Sequence, residues 1–160
     1  MYRAPAEASP LVVVTCANRV VAHDRRSGHA IWELVLDENS VHNGCVRCVV
    51  EGERVVVTST GPHKSTFNTE AEAVVTCVDY RTGQRLWEQR IHTGLSSVLV
   101  VPSILIEGGQ VLVTTGNKLC AMSLEDGTPH WSQPLRSTVA TTATCGLAIP
   151  GHAIQSDRRS

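Results

Sequence analysis

One short frame, repeated three times, constrains this chain more than any other feature. Its copies are built on Asp24, Ser27, Gly28 and Trp32; on Asp79, Thr82, Gly83 and Trp87; and on Ser123, Asp126, Gly127 and Trp131. All three tryptophans of the protein stand four residues after a glycine, in the same register. A unit that recurs at a period of roughly 40–50 residues implies a propeller, a solenoid or an array, because one unit cannot bury its apolar face alone.

The segments around the frame read as strands. Valine is abundant, aromatics are few and helix formers are not gathered into periodic runs, a balance that favours extended structure. Candidate strands fall at residues 11–15, 19–23 and 30–36, then at 45–50, 54–59, 73–79 and 84–91. The set recurs at 98–106, 110–115, 118–123 and 130–135, and 139–149 opens a further unit. Gly28, Gly83 and Gly127 supply turns where a positive φ is available. Short strands at even spacing with glycine turns imply an all-β fold, and the repeat selects a propeller over a sandwich or barrel. A short Asp or Ser/Thr side chain ahead of such a turn holds it by accepting from nearby backbone N–H groups. Each Trp then adds a large apolar plate whose indole N–H still needs an acceptor.

This frame closely resembles the tryptophan-docking motif of the quinoprotein-like β-propellers built from PQQ-like repeats. The first copy fits throughout, with Ala22 at its head. The second departs only in Cys77 for Ala, and the third in Ser123 for Asp and Asp126 for Ser/Thr. The resemblance spans roughly residues 11–150 and implies four-stranded antiparallel blades. Mapped on, the chain starts at the second strand of one blade, runs through two full blades and ends on the first strand of another. That makes about three blades, whereas family rings hold roughly seven or eight. A partial ring leaves strand edges and apolar faces open, so the chain is expected to be a homo-oligomer or part of a larger propeller. Residues 1–10 and 151–160 are expected to be tails, the second disordered.

The family includes pyrroloquinoline-quinone dehydrogenases and cofactor-free scaffolds, and fold does not decide between them. The dehydrogenases require a full ring, a vicinal cysteine pair and carboxylate and amide ligands for calcium. None of the six cysteines, Cys16, Cys45, Cys48, Cys77, Cys120 and Cys145, is adjacent to another. Cys45 and Cys48 have CxxC spacing. A structural zinc site would want a second pair and a redox pair would sit at a helix start, so these thiols are read as structural. No catalytic triad order, phosphate loop or dinucleotide fingerprint stands out. The expected function is a non-enzymatic scaffold that binds protein, without cofactor or metal; the alternative is a quinoprotein-type dehydrogenase or a degenerate fragment of one.

The same mapping places the loops between second and third strands, and those between blades, at one end of the propeller. That end would carry residues 39–44, 92–96 and a polar insertion at 61–72. The candidate partner-binding residues are therefore His63, Lys64, Phe67, Asn68, His42 and His92, since loops on a rigid scaffold usually carry binding. Three histidines at this end could suggest a metal, but no pair has ligand spacing and they are read as surface groups. A net charge of −1 with mixed signs excludes the basic stripe of a nucleic-acid binder. The first ten residues are read as neither a secretory signal nor a lipid-anchored leader, and no stretch approaches the roughly 18 apolar residues of a membrane helix. The expected location is cytoplasmic.

Overall fold

The computed structural model describes residues 9–36, 47–62, 70–95, 102–115, 118–135, 146–150 and 152–155. Its elements are all strands: β1 Leu11–Cys16, β2 Arg19–Asp24, β3 Ala30–Val35, β4 Arg47–Glu51, β5 Arg54–Pro62, β6 Glu70–Asp79 and β7 Arg85–Leu95. They continue as β8 Ser103–Glu107, β9 Gln110–Thr114, β10 Lys118–Ser123, β11 Pro129–Pro134, β12 Gly146–Ile149 and β13 His152–Gln155. They form antiparallel meanders of three strands (β1–β2–β3), four (β4 to β7) and four (β8 to β11), followed by the β12–β13 hairpin. These are propeller blades in sequence order, and among the described residues the sheets do not close into a ring.

Side-chain alternation along the central strands builds two cores. In β5 the odd residues Val55 and Val57, with Val78 of β6, face the first sheet and meet Val20, Ala22 and Trp32. The even residue Val56, with Val75 and Cys77 of β6, faces the third sheet and meets Ile104, Val111, Val113 and Met122. The middle blade is thus buried on both faces, and for this reason its strands read as continuous Val runs rather than clean alternation. Each such buried Val stabilises the fold by about 1.5–3 kcal/mol relative to an exposed one.

The repeat frame locks neighbouring blades together. The Trp32 indole donates to the Tyr80 carbonyl at 2.9 Å, and that of Trp87 to the Leu124 carbonyl at 2.9 Å. Both acceptors directly follow the first residue of the next blade's turn. The ring of each Trp lies flat on the glycine of that turn: a methyl on Gly83 would sit 2.7 Å from the Trp32 ring, and one on Gly127 2.6 Å from the Trp87 ring. Gly83 and Gly127 also hold φ of 74° and 73°, so both conformation and contact require glycine there.

The turns share one hydrogen-bond circuit. Asp24 Oδ1 accepts from the N–H groups of Arg26 and Ser27 at 2.9 and 2.8 Å, and Asp79 Oδ1 accepts from Arg81 and Thr82 at the same distances. In the third turn the two side chains exchange places: Ser123 Oγ accepts from Glu125 N–H and Asp126 Oδ1 from Thr128 N–H. A β-bulge breaks the register at the same point of each blade, after Ala22, Cys77 and Ala121. Equivalent backbone bonds, Tyr80 N–H to Glu53 O and Leu124 N–H to Gly109 O, tie each turn to the first hairpin of its own blade. Both sets of turns therefore lie at one end of the sheets.

Three expectations change. Residues 151–160 are not wholly a tail, because β13 pairs with β12 through Leu147–Ile154 and Ala148–Ala153. The last unit thus reaches its second strand, and the strand placed at 139–149 begins, among the described residues, at Gly146. The insertion at 61–72 is not all loop, because β5 runs to Pro62, β6 starts at Glu70, and Gly61–Glu72 and Pro62–Ala71 continue the ladder. His92, placed in an irregular link, sits within β7. The polar sequence hid these extensions; what supports them is a third strand, β7, paired alongside β6.

Two tests follow. Gly28 holds φ of 74° with nothing within 4 Å of a methyl placed on it, so in the single, undocked chain Gly28→Ala should cost only the backbone strain, about 1–2 kcal/mol. Gly83→Ala adds the overlap with Trp32 and should cost about 1–3 kcal/mol more; equal denaturant midpoints for the two variants would refute the interlock. Turn N–H groups hold the Asp24 and Asp79 carboxyls below the usual aspartate value of 3.8. A depressed folded value stabilises the fold above 3.8, and this contribution is lost as pH falls through the folded value. The stability gap between wild type and Asp79→Asn should accordingly be wider at pH 6 than well below pH 3; a gap of constant size would exclude the ionised turn.

Candidate functional site

The end of the sheets that carries the turns is charged but internally satisfied. A groove of 830 Å³ there is lined by Asp24, Arg25, Arg26, Glu53, Tyr80 and Arg81, among others. Arg81 meets Glu53 through two bonds, 2.8 and 3.0 Å long. Arg25 donates to the Ser9 carbonyl. The Tyr80 hydroxyl accepts from Leu11 N–H and donates to Leu11 O, which pins the start of β1 to the second blade. The Tyr80–Leu11 contact joins two blades, the Arg81–Glu53 pair ties a turn to its own hairpin, and exposure keeps that ion pair a small contribution.

The opposite end is distinguished by length. β5, β6 and β7 contain 9, 10 and 11 residues, whereas the corresponding strands of the first and third blades contain 5 or 6. The surplus extends one blade away from the turns as a three-stranded ribbon. At its base lies Glu72, a buried carboxylate directly opposite His92 in the β6–β7 register. Its Oε2 accepts from Arg90 Nη1 at 3.1 Å, and its Oε1 lies 3.4 Å from His92 Nδ1. Arg90 also reaches Glu88 at 3.2 Å, and these carboxylates push its guanidinium above the usual arginine value. Lys118 of the third blade donates to the His92 carbonyl at 2.9 Å. Arg90, His92 and Lys118 also border a cleft of 260 Å³ between the two blades, together with Met122 and Trp131.

Of the candidate partner-binding residues, His42, His63, Lys64, Phe67 and Asn68 lie outside the described residues. His92 is described, exposed on β7, and is brought together with Glu72, Arg90 and Lys118 rather than with another histidine. The sequence reading missed Glu72 and Arg90. Arg90 and His92 lie two apart and so share a face of β7, and an acid across the hairpin completes a cross-strand pair; that spacing was the available signal. The frame residues Asp24, Gly28, Trp32, Asp79, Gly83, Trp87, Gly127 and Trp131 all lie at or beside the turns. Gly28 faces no ring, and Trp131 is exposed.

Cys16, Cys48, Cys77 and Cys120 are free thiols, and burial pushes those of Cys48 and Cys77 up, away from the reactive thiolate. Cys45, the other half of the CxxC pair, lies outside the described residues. Among the described residues no three His, Cys, Asp or Glu side chains converge as metal ligands.

Comparison with known proteins agrees with this architecture. The solved structures that resemble the chain include a quinohemoprotein alcohol dehydrogenase, ADHIIG, from Pseudomonas putida HK5. Its TM-score is 0.60 at 14% identity, over 91% of this chain and 29% of that one. The quinohemoprotein alcohol dehydrogenase of Comamonas testosteroni gives 0.59 at 12% identity, over 91% and 30%. A europium-containing methanol dehydrogenase gives 0.58 at 17% identity, over 81% and 24%. The chain thus spans less than a third of each of these proteins, and at such identities the likeness is one of fold. No curated protein sequence matches significantly. The family model described as "Outer membrane protein assembly factor BamB" matches residues 3–149. With three interlocking frames inside that span, the chain belongs to this family of PQQ-like-repeat β-propellers.

Proposed function

We propose that this chain is a non-catalytic propeller scaffold that recognises a protein partner at the end away from the turns. The observation that carries this reading is the ribbon formed by β5, β6 and β7, which outgrows its counterparts and is clamped at its base by Glu72, Arg90, His92 and Lys118. A stiff stalk of this kind lowers the ordering cost of binding by whatever it carries. Residues 63–69 join β5 to β6, and they include His63, Lys64, Phe67 and Asn68. Phe67 is the aromatic anchor of this reading, in keeping with the enrichment of aromatics at hot spots. His92 acts at the base, where it helps to hold Glu72. The competing reading is a quinoprotein-type dehydrogenase or a degenerate fragment of one.

Two measurements separate these readings. Replacing residues 63–70 by Asn-Gly, which closes a tight hairpin between Pro62 and Ala71 in their existing register, should leave the melting temperature within a few degrees of wild type. The same replacement should abolish recovery of the partner that a photo-cross-linker at position 67 captures. Undiminished recovery, or a wild-type chain that captures nothing, would overturn the scaffold reading. Pyrroloquinoline quinone with calcium should leave the melting temperature unchanged; a saturable rise would favour the dehydrogenase, since a ligand bound only by the folded state stabilises it by mass action.

A further inference from the structure

The two ends of the blade array carry opposite halves of one interface. Within the chain, each Trp seats on the turn glycine of the following blade, and the second strand of that blade buries a pair of valines against its neighbour. Val55 and Val57 form this pair in the second blade and Val111 and Val113 in the third, and all four are fully buried. Aligned through the repeat frame, Val12 and Val14 hold the same positions in the first blade, yet they are 47% and 44% exposed. Gly28 lies beside them with open space where Gly83 and Gly127 carry an indole. At the other end Trp131 is 41% exposed, against 9% for the docked Trp32.

We propose that the chain docks a second copy of itself head to tail, with Trp131 of one copy seated on Gly28 of the next. Arg25 holds the position of Tyr80 and Leu124, so its carbonyl is the acceptor for the Trp131 indole N–H. Val12 and Val14 meet Leu112 beside Trp131, while Ala121 of the same row is already buried within the chain. The warrant is continuity: the same interlock joins blade to blade twice within the chain, and Trp131 at one end and the face of Val12, Val14 and Gly28 at the other are its undocked parts. β12 supplies the innermost strand that the first sheet lacks among the described residues. β13 holds the rank that β1 would take, so docking in the internal register requires the six-residue β1 to replace the four-residue β13. The contact is heterologous, and it therefore propagates into a ring or a filament. It does not depend on recognition through β5–β7, and replacing residues 63–70 should leave it intact.

The test is absolute mass by light scattering after size exclusion, from about 100 µM down to about 1 µM, the range in which interfaces of this kind dissociate. The wild type should show multiples of its 17.3 kDa chain mass. Trp131→Arg and Val14→Glu should each run as single chains, since each removes one half of the interface. Mixed in equal amounts, they should form a dimer and nothing larger, because only the Trp131 of the Val14→Glu chain and the Gly28 face of the Trp131→Arg chain are intact. This recovery also shows that both variants are folded. Ile31→Glu, on the exposed outer strand beside Trp32, should behave as wild type. A wild type that is a single chain throughout, oligomers that survive either substitution, or variants that stay single when mixed would each overturn the proposal.

Discussion

An indole ring laid on a residue without a side chain is the contact on which the rest of this structure depends. It solves two problems at once. The tryptophan buries its large apolar surface between blades, and its N–H, costly to bury unpaired, meets a carbonyl in the turn that supplies the glycine. The contact also has a direction, since ring and donor come from one blade and glycine and acceptor from the next. Stacking order is thereby written into each blade. The valine pairs on the second strands come into register as a consequence, and the middle sheet, served from both sides, has the most fully buried strands.

The end that carries the turns is stiff for a related reason. Every turn is closed by its own short polar side chains, and those of the second and third blades are then bonded to the first hairpin of their blade. Asp79 holds Arg81 and Thr82, Tyr80 holds Glu53 through its backbone and Leu11 through its hydroxyl, and Arg85 reaches across to the carbonyls of Val35 and Leu36. The polar groups of this end are largely occupied by each other. The other end departs from the repeat in a single blade, where a buried acid between an arginine and a histidine marks the base of the lengthened strands. The contrast is between an end set by what every blade shares and an end set by what one blade adds.

Much of the fold was legible because its signals are local. The glycine and tryptophan spacing and the Val-rich strands each depend on neighbours in sequence. What escaped depends on partners far along the chain. Residues 70–72 read as polar loop because Glu-Ala-Glu has no buried face of its own; they become strand through pairing with His92 and Leu95. His152–Gln155 read as tail because four residues are too few to show a pattern without β12 beside them. Of the candidate site, His92 could be singled out from the sequence but its role could not, because Glu72 stands twenty residues before it and Lys118 belongs to another blade.

The third turn shows that the fold specifies a wiring pattern rather than a residue at each node. Ser123 and Asp126 stand where the other turns have Asp and then Ser or Thr, yet the N–H groups of Glu125 and Thr128 are held as those of Arg26 and His29 are in the first turn. Such a swap reaches the same circuit by two substitutions, and either one alone leaves two acids or two hydroxyls at the turn. The fitness effects of these positions are therefore non-additive, each depending on the residue at the other. A blade can drift away from the consensus of its family along this coupled path without losing its turn, so a strict motif would overlook blades that still close in the same way.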